Sequence, residues 1–170
     1  MSLYSWDYET DHPAEQWFLM AHAYADASVT LFESMAKKQF PKTFHHAKVA
    51  AAAFVQGLEL FLKGALVQAG EKKPPKTHIL AGILQRFREL YPGEIYAFSG
   101  RVEEAVKSTH TQPAGQFLRY PADAEGTPWL GNSHFTLDLW LPQSQAFRND
   151  YYRLEPLLKQ KGHPTNPQGS

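Results

Sequence analysis

Apolar positions recur at intervals of three and four through most of the first 110 residues, the period of packed helices rather than of strands. Over residues 14–38, Phe18, Ala21, Ala25, Val29, Phe32 and Ala36 fall on one stripe, with Asp11 as the expected cap and Pro13 in the first turn. Lys37 and Lys38 suit the negative end of that helix, and Pro41 stops it. A second helix, opening near Thr43, is apolar on two faces. Ala47, Ala51, Phe54, Leu58, Phe61 and Ala65 form one, and Ala50, Ala53, Gly57, Leu60, Gly64 and Val67 form the other. Two such faces predict the central helix of a bundle. Each of Gly57 and Gly64 costs a helix interior about 1 kcal/mol relative to alanine, so a neighbouring helix is expected to approach closely there. The remaining strip carries Gln56, Glu59 and Lys63. Glu59 four residues before Lys63 is the favourable order for an ion pair, and its plainest reading is a solvent-facing bridge of about 0.5 kcal/mol.

Gly70 is a good helix terminator, and Pro74 and Pro75 stiffen the connector that follows. Thr77 then caps a third helix over residues 78–91, with Ile79, Leu80, Ile83, Leu84 and Phe87 inward and Pro92-Gly93 ending it. A fourth helix, over residues 94–108, offers Ile95, Phe98, Val102 and Val106. From 109 to 142 the pattern changes to prolines, glycines and aromatics. Phe135, Leu137 and Leu139 alternate with Thr136 and Asp138 as a half-buried strand does, and Arg119-Tyr120-Pro121 is its candidate partner, which predicts a long ordered loop with a small β-hairpin. A last helix over residues 143–160 buries Phe147, Tyr151, Leu154 and Leu158, while residues 1–12 and 161–170 read as flexible ends. The expected fold is all-α, four to five helices in one domain over residues 1–170.

Composition narrows the chemistry. Seventeen basic and seventeen acidic side chains cancel, so any nucleic-acid contact must come from a local patch rather than a global positive field. The absence of cysteine excludes disulfides, thiolate catalysis and zinc–thiolate sites, and suits a reducing cytoplasm. The N-terminus lacks the basic and apolar regions of a signal peptide, and the apolar run of the second helix meets charge too soon to span a membrane. A cytoplasmic protein with no membrane contact is expected. Phosphate-binding glycine loops, a nucleophile elbow and zinc-binding helix motifs are absent, and no cofactor or metal is expected.

The segments LELFLKGAL, a proline-bearing connector, THILAGIL, FLRYP and FRNDYY follow one another over residues 14–159. This order resembles the HEPN domain, the higher eukaryote and prokaryote nucleotide-binding family. The resemblance implies an antiparallel bundle of four or five helices, usually a homodimer, that often works beside a nucleotidyltransferase in a toxin–antitoxin pair. In short bacterial members a Glu-x-x-x-Lys lies on the second helix, matched by Glu59 and Lys63. A His-Asp-Leu triplet often opens the third helix, and His78 and Leu80 match it with Ile79 in place of the acid. Ribonucleases of the family carry an arginine followed after four to six residues by a histidine, a pair suited to holding phosphate and moving a proton. Arg148-Asn149 resembles the start of that motif, but positions 150–156 hold no histidine; Arg101 precedes His110, and Arg153 precedes His163, by too many residues. A metal-independent ribonuclease of that type is therefore not expected.

The other candidates have plain readings beside functional ones. His78 reads as a helix-start histidine bonded to backbone, because Pro75 and Ile79 offer it no relay partner. His45, His46, Lys42, Lys48, Lys37 and Lys38 form one basic cluster and Lys72, Lys73 and Lys76 another, both consistent with solvated turns or with phosphate binding. His22 and Asp26 share a helix face but are too few for a metal site. Arg119 and Tyr120 can stack on a base or clasp a phosphate, or pin the loop to the bundle. The resulting expectation is a non-catalytic binding module for RNA, a nucleotide or a protein partner, its groove lined by Glu59, Lys63, His78, Arg119, Tyr120 and Arg148. The alternative is a ribonuclease or nucleotide-processing enzyme whose histidine is displaced, with His78 or His134 supplying it. A pure assembly protein, anchored by exposed Trp129 and Trp140, is a third reading.

Overall fold

In a computed structural model, residues 12–39, 43–109 and 136–161 are described, and among them are five α-helices and no strand. They are α1 (Pro13–Ala36), α2 (Phe44–Gln68), α3 (Leu80–Leu90), α4 (Gly100–Thr109) and α5 (Leu137–Gln160), with a single 3-10 turn at Glu94–Tyr96.

The helix ends follow from local chemistry. His12 caps α1, its Nδ1 accepting from the Ala14 N–H at 3.3 Å, the role expected of Asp11, which lies outside the described residues. At the other end Lys38 takes a left-handed conformation (φ 59°), so that its N–H reaches the Met35 carbonyl and the Gln39 N–H reaches Ser34. A lysine there costs about 1 kcal/mol that glycine would not. α2 opens where expected, and Thr43 caps it, its side chain accepting from the His46 N–H. The same closing motif ends α2, this time with Gly70 at φ 99°.

α2 is the centre of the bundle. Its close contacts with α1 pair Gly64 with Trp17 and Phe18, and Gly57 with Ala21 and Ala25, so the two helices run antiparallel. α5 is antiparallel to α1, because Tyr151 Oη donates to the Phe18 carbonyl while Ser144 Oγ meets Ser28 Oγ at 2.9 Å. Phe147 then packs edge-on against both Phe54 and Phe61. α3 and α4 close one flank: Tyr91 Oη donates to the Ala65 carbonyl, and Phe98 sits against Phe61 and Phe87. Burial pushes the Tyr91 hydroxyl up to about 12. α2 is long and apolar enough to cross a membrane by length and composition, but 78% of its apolar window is buried inside the bundle.

The expected close approach at the glycines is present. A Cβ on Gly64 would lie 2.8 Å from Trp17 Cβ and 3.2 Å from the Phe18 ring. Gly64→Ala should therefore lower stability by about 1–3 kcal/mol, although alanine is the better helix former; chemical denaturation showing a gain instead would mean that α1 can move away without penalty.

Several expectations are corrected. Ala36 is exposed and Met35 takes its place in the core, while Ile79 and Ile95 are each 57% exposed rather than inward. The fourth helix is broken: a 3-10 turn at Glu94–Tyr96 precedes α4, which starts only at Gly100. The strand expected through Leu137 and Leu139 is the first turn of α5, whose start lies six residues before the expected Gln143. Pro142 suggested a boundary, yet only the N–H groups of a helix's first turn lack partners, and a proline just beyond that turn forfeits a single bond to Asp138. The proposed partner segment, Arg119 to Pro121, lies outside the described residues. Trp140 is half-buried against Phe32 and Phe54 rather than exposed, and Trp129 lies outside the described residues.

Candidate functional site

Glu59 and Lys63 sit one turn apart on α2, so their side chains meet by helical geometry alone, Nζ to Oε1 at 2.9 Å. The expected solvent-facing bridge is a buried one: Glu59 is 3% and Lys63 6% exposed. A buried carboxylate needs partners for its lone pairs. Its further partner comes from the connector, where Thr77 Oγ1 accepts from the Ile79 N–H and fixes the turn just ahead of α3. That turn brings His78 Nδ1 to 2.8 Å from Glu59 Oε1. The His78 side chain itself is 59% exposed.

This geometry corrects the reading of His78 as a residue without a relay partner. The partner is Glu59, 19 positions earlier, and only the fold of the connector shows it. A carboxylate oxygen accepts, so Glu59 Oε1 takes a hydrogen bond from Lys63 and a second from the ring nitrogen facing it, which assigns the His78 proton to Nδ1. The neutral ring then has its lone pair on Nε2. A buried acid thus orients an exposed imidazole, the arrangement by which proteins fix a histidine tautomer. Exposed Lys72, Lys73 and Lys76 occupy the same connector and give that segment a positive charge.

Arg148 belongs to a different seam, between α1 and α5. Its Nη1 lies 3.9 Å from Asp26 Oδ1, and the other Asp26 oxygen is 3.2 Å from His22 Nε2. The same His22 nitrogen is 2.8 Å from Tyr152 Oη, and the ring stacks on Tyr151 at 5.1 Å. Among the described residues no group of three His, Cys, Asp or Glu side chains could hold a metal, so His22 and Asp26 gain no third ligand of that kind. Arg119 and Tyr120 lie outside the described residues, as does His134.

Five of the six residues of the FRNDYY segment have a visible structural role, and Asn149 is exposed. Phe147 and Tyr151 are core, and Arg148 and Tyr152 reach toward α1. Asp150, buried, accepts from the Ser99 N–H at 2.7 Å and from Arg153 at 3.0 Å. Arg153 also donates to the Ile95 and Ala97 carbonyls. This clasp fixes the segment leading into α4, and sequence reasoning missed it because its partners lie more than fifty residues apart. Of the basic clusters, Lys37, Lys38 and His45 are exposed, whereas Lys48 is buried and its ammonium pKa is pushed down by burial. A shallow groove of about 370 Å³ lies apart from both seams, lined by Arg88, Tyr91, Pro92, Glu94 and Tyr96 among others. Lys161 Nζ stands 4.7 Å and 5.1 Å from the centres of the Tyr91 and Tyr96 rings.

No protein-family profile matches the chain, and no curated protein or solved structure matches it either.

Proposed function

We propose that this helical domain is a HEPN-like, non-catalytic binding module for RNA or a nucleotide, with His78 as its central contact. The observation that carries the reading is the exposed imidazole anchored through Nδ1 to the buried Glu59–Lys63 pair. An exposed histidine is ordinarily free to rotate, and fixing it removes entropy that a ligand would otherwise have to offset. The three connector lysines favour an anionic ligand. The HEPN-like order of segments further suggests a homodimer and, as a protein partner, a nucleotidyltransferase. In this reading Glu59 and Lys63 act from behind the ring and Arg119 and Tyr120 remain candidate phosphate or base contacts, while Arg148, on the α1–α5 seam, is not part of this groove.

Fluorescence anisotropy with a labelled single-stranded RNA and a labelled nucleotide tests this. His78→Ala should weaken binding about tenfold or more, the loss of roughly one charge-assisted hydrogen bond, with the melting temperature nearly unchanged. Wild-type protein that binds neither probe would remove the reading. A second reading, an enzyme with a displaced histidine, is favoured by one further observation: His22 and Arg148 converge on Asp26 although no histidine follows Arg148 in sequence. Cleavage of the same RNA, abolished by His22→Ala and by Arg148→Ala but not by His78→Ala, would select that reading over the first.

A further inference from the structure

We propose that His78 is a phosphoryl-accepting nucleophile, reacting through Nε2 with donors that carry a good leaving group, such as an acyl phosphate or a phosphoramidate. This goes beyond ligand binding, because it assigns the ring a covalent step.

Three features of the ring combine. Nδ1 is held at 2.8 Å by Glu59 Oε1, which leaves the Nε2 lone pair as the ring's nucleophile. The side chain is 59% exposed, so a phosphorus centre can approach. The carboxylate behind the ring is buried, where its interaction with developing positive charge is less screened than in water. As Nε2 attacks, its electron pair forms the N–P bond and the ring becomes cationic, keeping its Nδ1 proton against Glu59. With phosphoramidate as donor, the original P–N bond breaks and its electron pair leaves with the protonated amino nitrogen as ammonia. Lys72, Lys73 and Lys76 place positive charge on the same connector, which favours the approach of an anionic donor.

The other described histidines lack this combination. His12 uses Nδ1 as an acceptor for the Ala14 N–H, so its neutral ring carries the proton on Nε2 instead. His22 has Nε2 occupied by Tyr152 and Asp26. His46 bonds Thr43 through Nδ1, and His45 is exposed with its ring edge-on to Phe44.

The experiment is incubation of the full chain with phosphoramidate, followed by 31P NMR and peptide mapping under alkaline conditions. Phosphorylation is expected at Nε2 of His78, at least tenfold faster than at His45, and in His78→Gln only the slow reaction at other histidines should remain. Glu59→Gln should slow it about tenfold, with circular dichroism confirming that the variant is folded. Nitrogen-15 NMR of the unmodified chain gives a check that needs no variant: the neutral His78 ring should carry its proton on Nδ1. Equal labelling of His45 and His78, modification at Nδ1, or an Nε2–H tautomer would each overturn the proposal.

Discussion

Glu59→Leu is expected to destabilise the protein by about 3–5 kcal/mol, the usual consequence of removing one partner from a buried ion pair. The Glu59 and Lys63 side chains retain only 4% and 7% exposure, so the ammonium left behind has little access to water. The loss reflects that stranded charge more than the worth of the pair. Replacing both partners, as Glu59→Leu with Lys63→Met, should therefore recover most of the stability, to within about 1–2 kcal/mol of wild type. Urea unfolding followed by circular dichroism measures both. A single-variant loss below about 1 kcal/mol is the behaviour of a solvated surface pair, and would show that water reaches Lys63. His78 supplies a second readout, since its ring loses the Nδ1 partner in both variants while the double variant stays folded. RNA or nucleotide binding that falls in the double variant would then report the orienting role of Glu59 separately from its stability role.

Phe61→Ala should cost a comparable amount, about 3–5 kcal/mol. The ring is completely buried, and its centroid lies 5.5 Å from Phe18, 5.8 Å from Phe98, 6.2 Å from Phe147 and 5.5 Å from Tyr151. It therefore touches α1, the segment entering α4, and α5 from a single position on α2. Truncation opens a void at the point where these elements meet, and the tilted and edge-on ring contacts, each about 0.5–1.5 kcal/mol, are lost with it. Phe61→Leu keeps most of the volume and should cost under about 2 kcal/mol. Small domains have only 5–15 kcal/mol in total, so Phe61→Ala should also lower the melting temperature by more than ten degrees. A loss under about 1 kcal/mol would mean that the surrounding rings collapse into the void, and that this junction is softer than its packing indicates.

The helical elements of the bundle core were legible because amphipathic period and capping are local. Phe18 through Phe32 on α1, both faces of α2, and Phe147 through Leu158 on α5 follow from spacing alone. The glycines of α2 were legible for a related reason: an interior glycine is a local cost, and a close neighbour is the simplest compensation. Reading failed at the margins. Ile79 and Ile95 look apolar and inward, yet each sits just outside regular α-helix, where the phase of the helix no longer governs direction. Leu137 and Leu139 alternate like a strand over too few residues to outweigh the helix that continues through Pro142.

What the sequence determined by itself was the all-α class, a central α2 with glycine contacts, the limits of α2 near Thr43 and Gly70, and the juxtaposition of Glu59 with Lys63, all set by chain positions within a few turns of each other. Only the tertiary structure decided that this pair is buried, that His78 is its third member, that Arg148 belongs with Asp26 and His22, and that Asp150 and Arg153 clasp the entry to α4. Those relations depend on how the connector and helices fold back on one another, and no local period records which face of a helix another segment will cover.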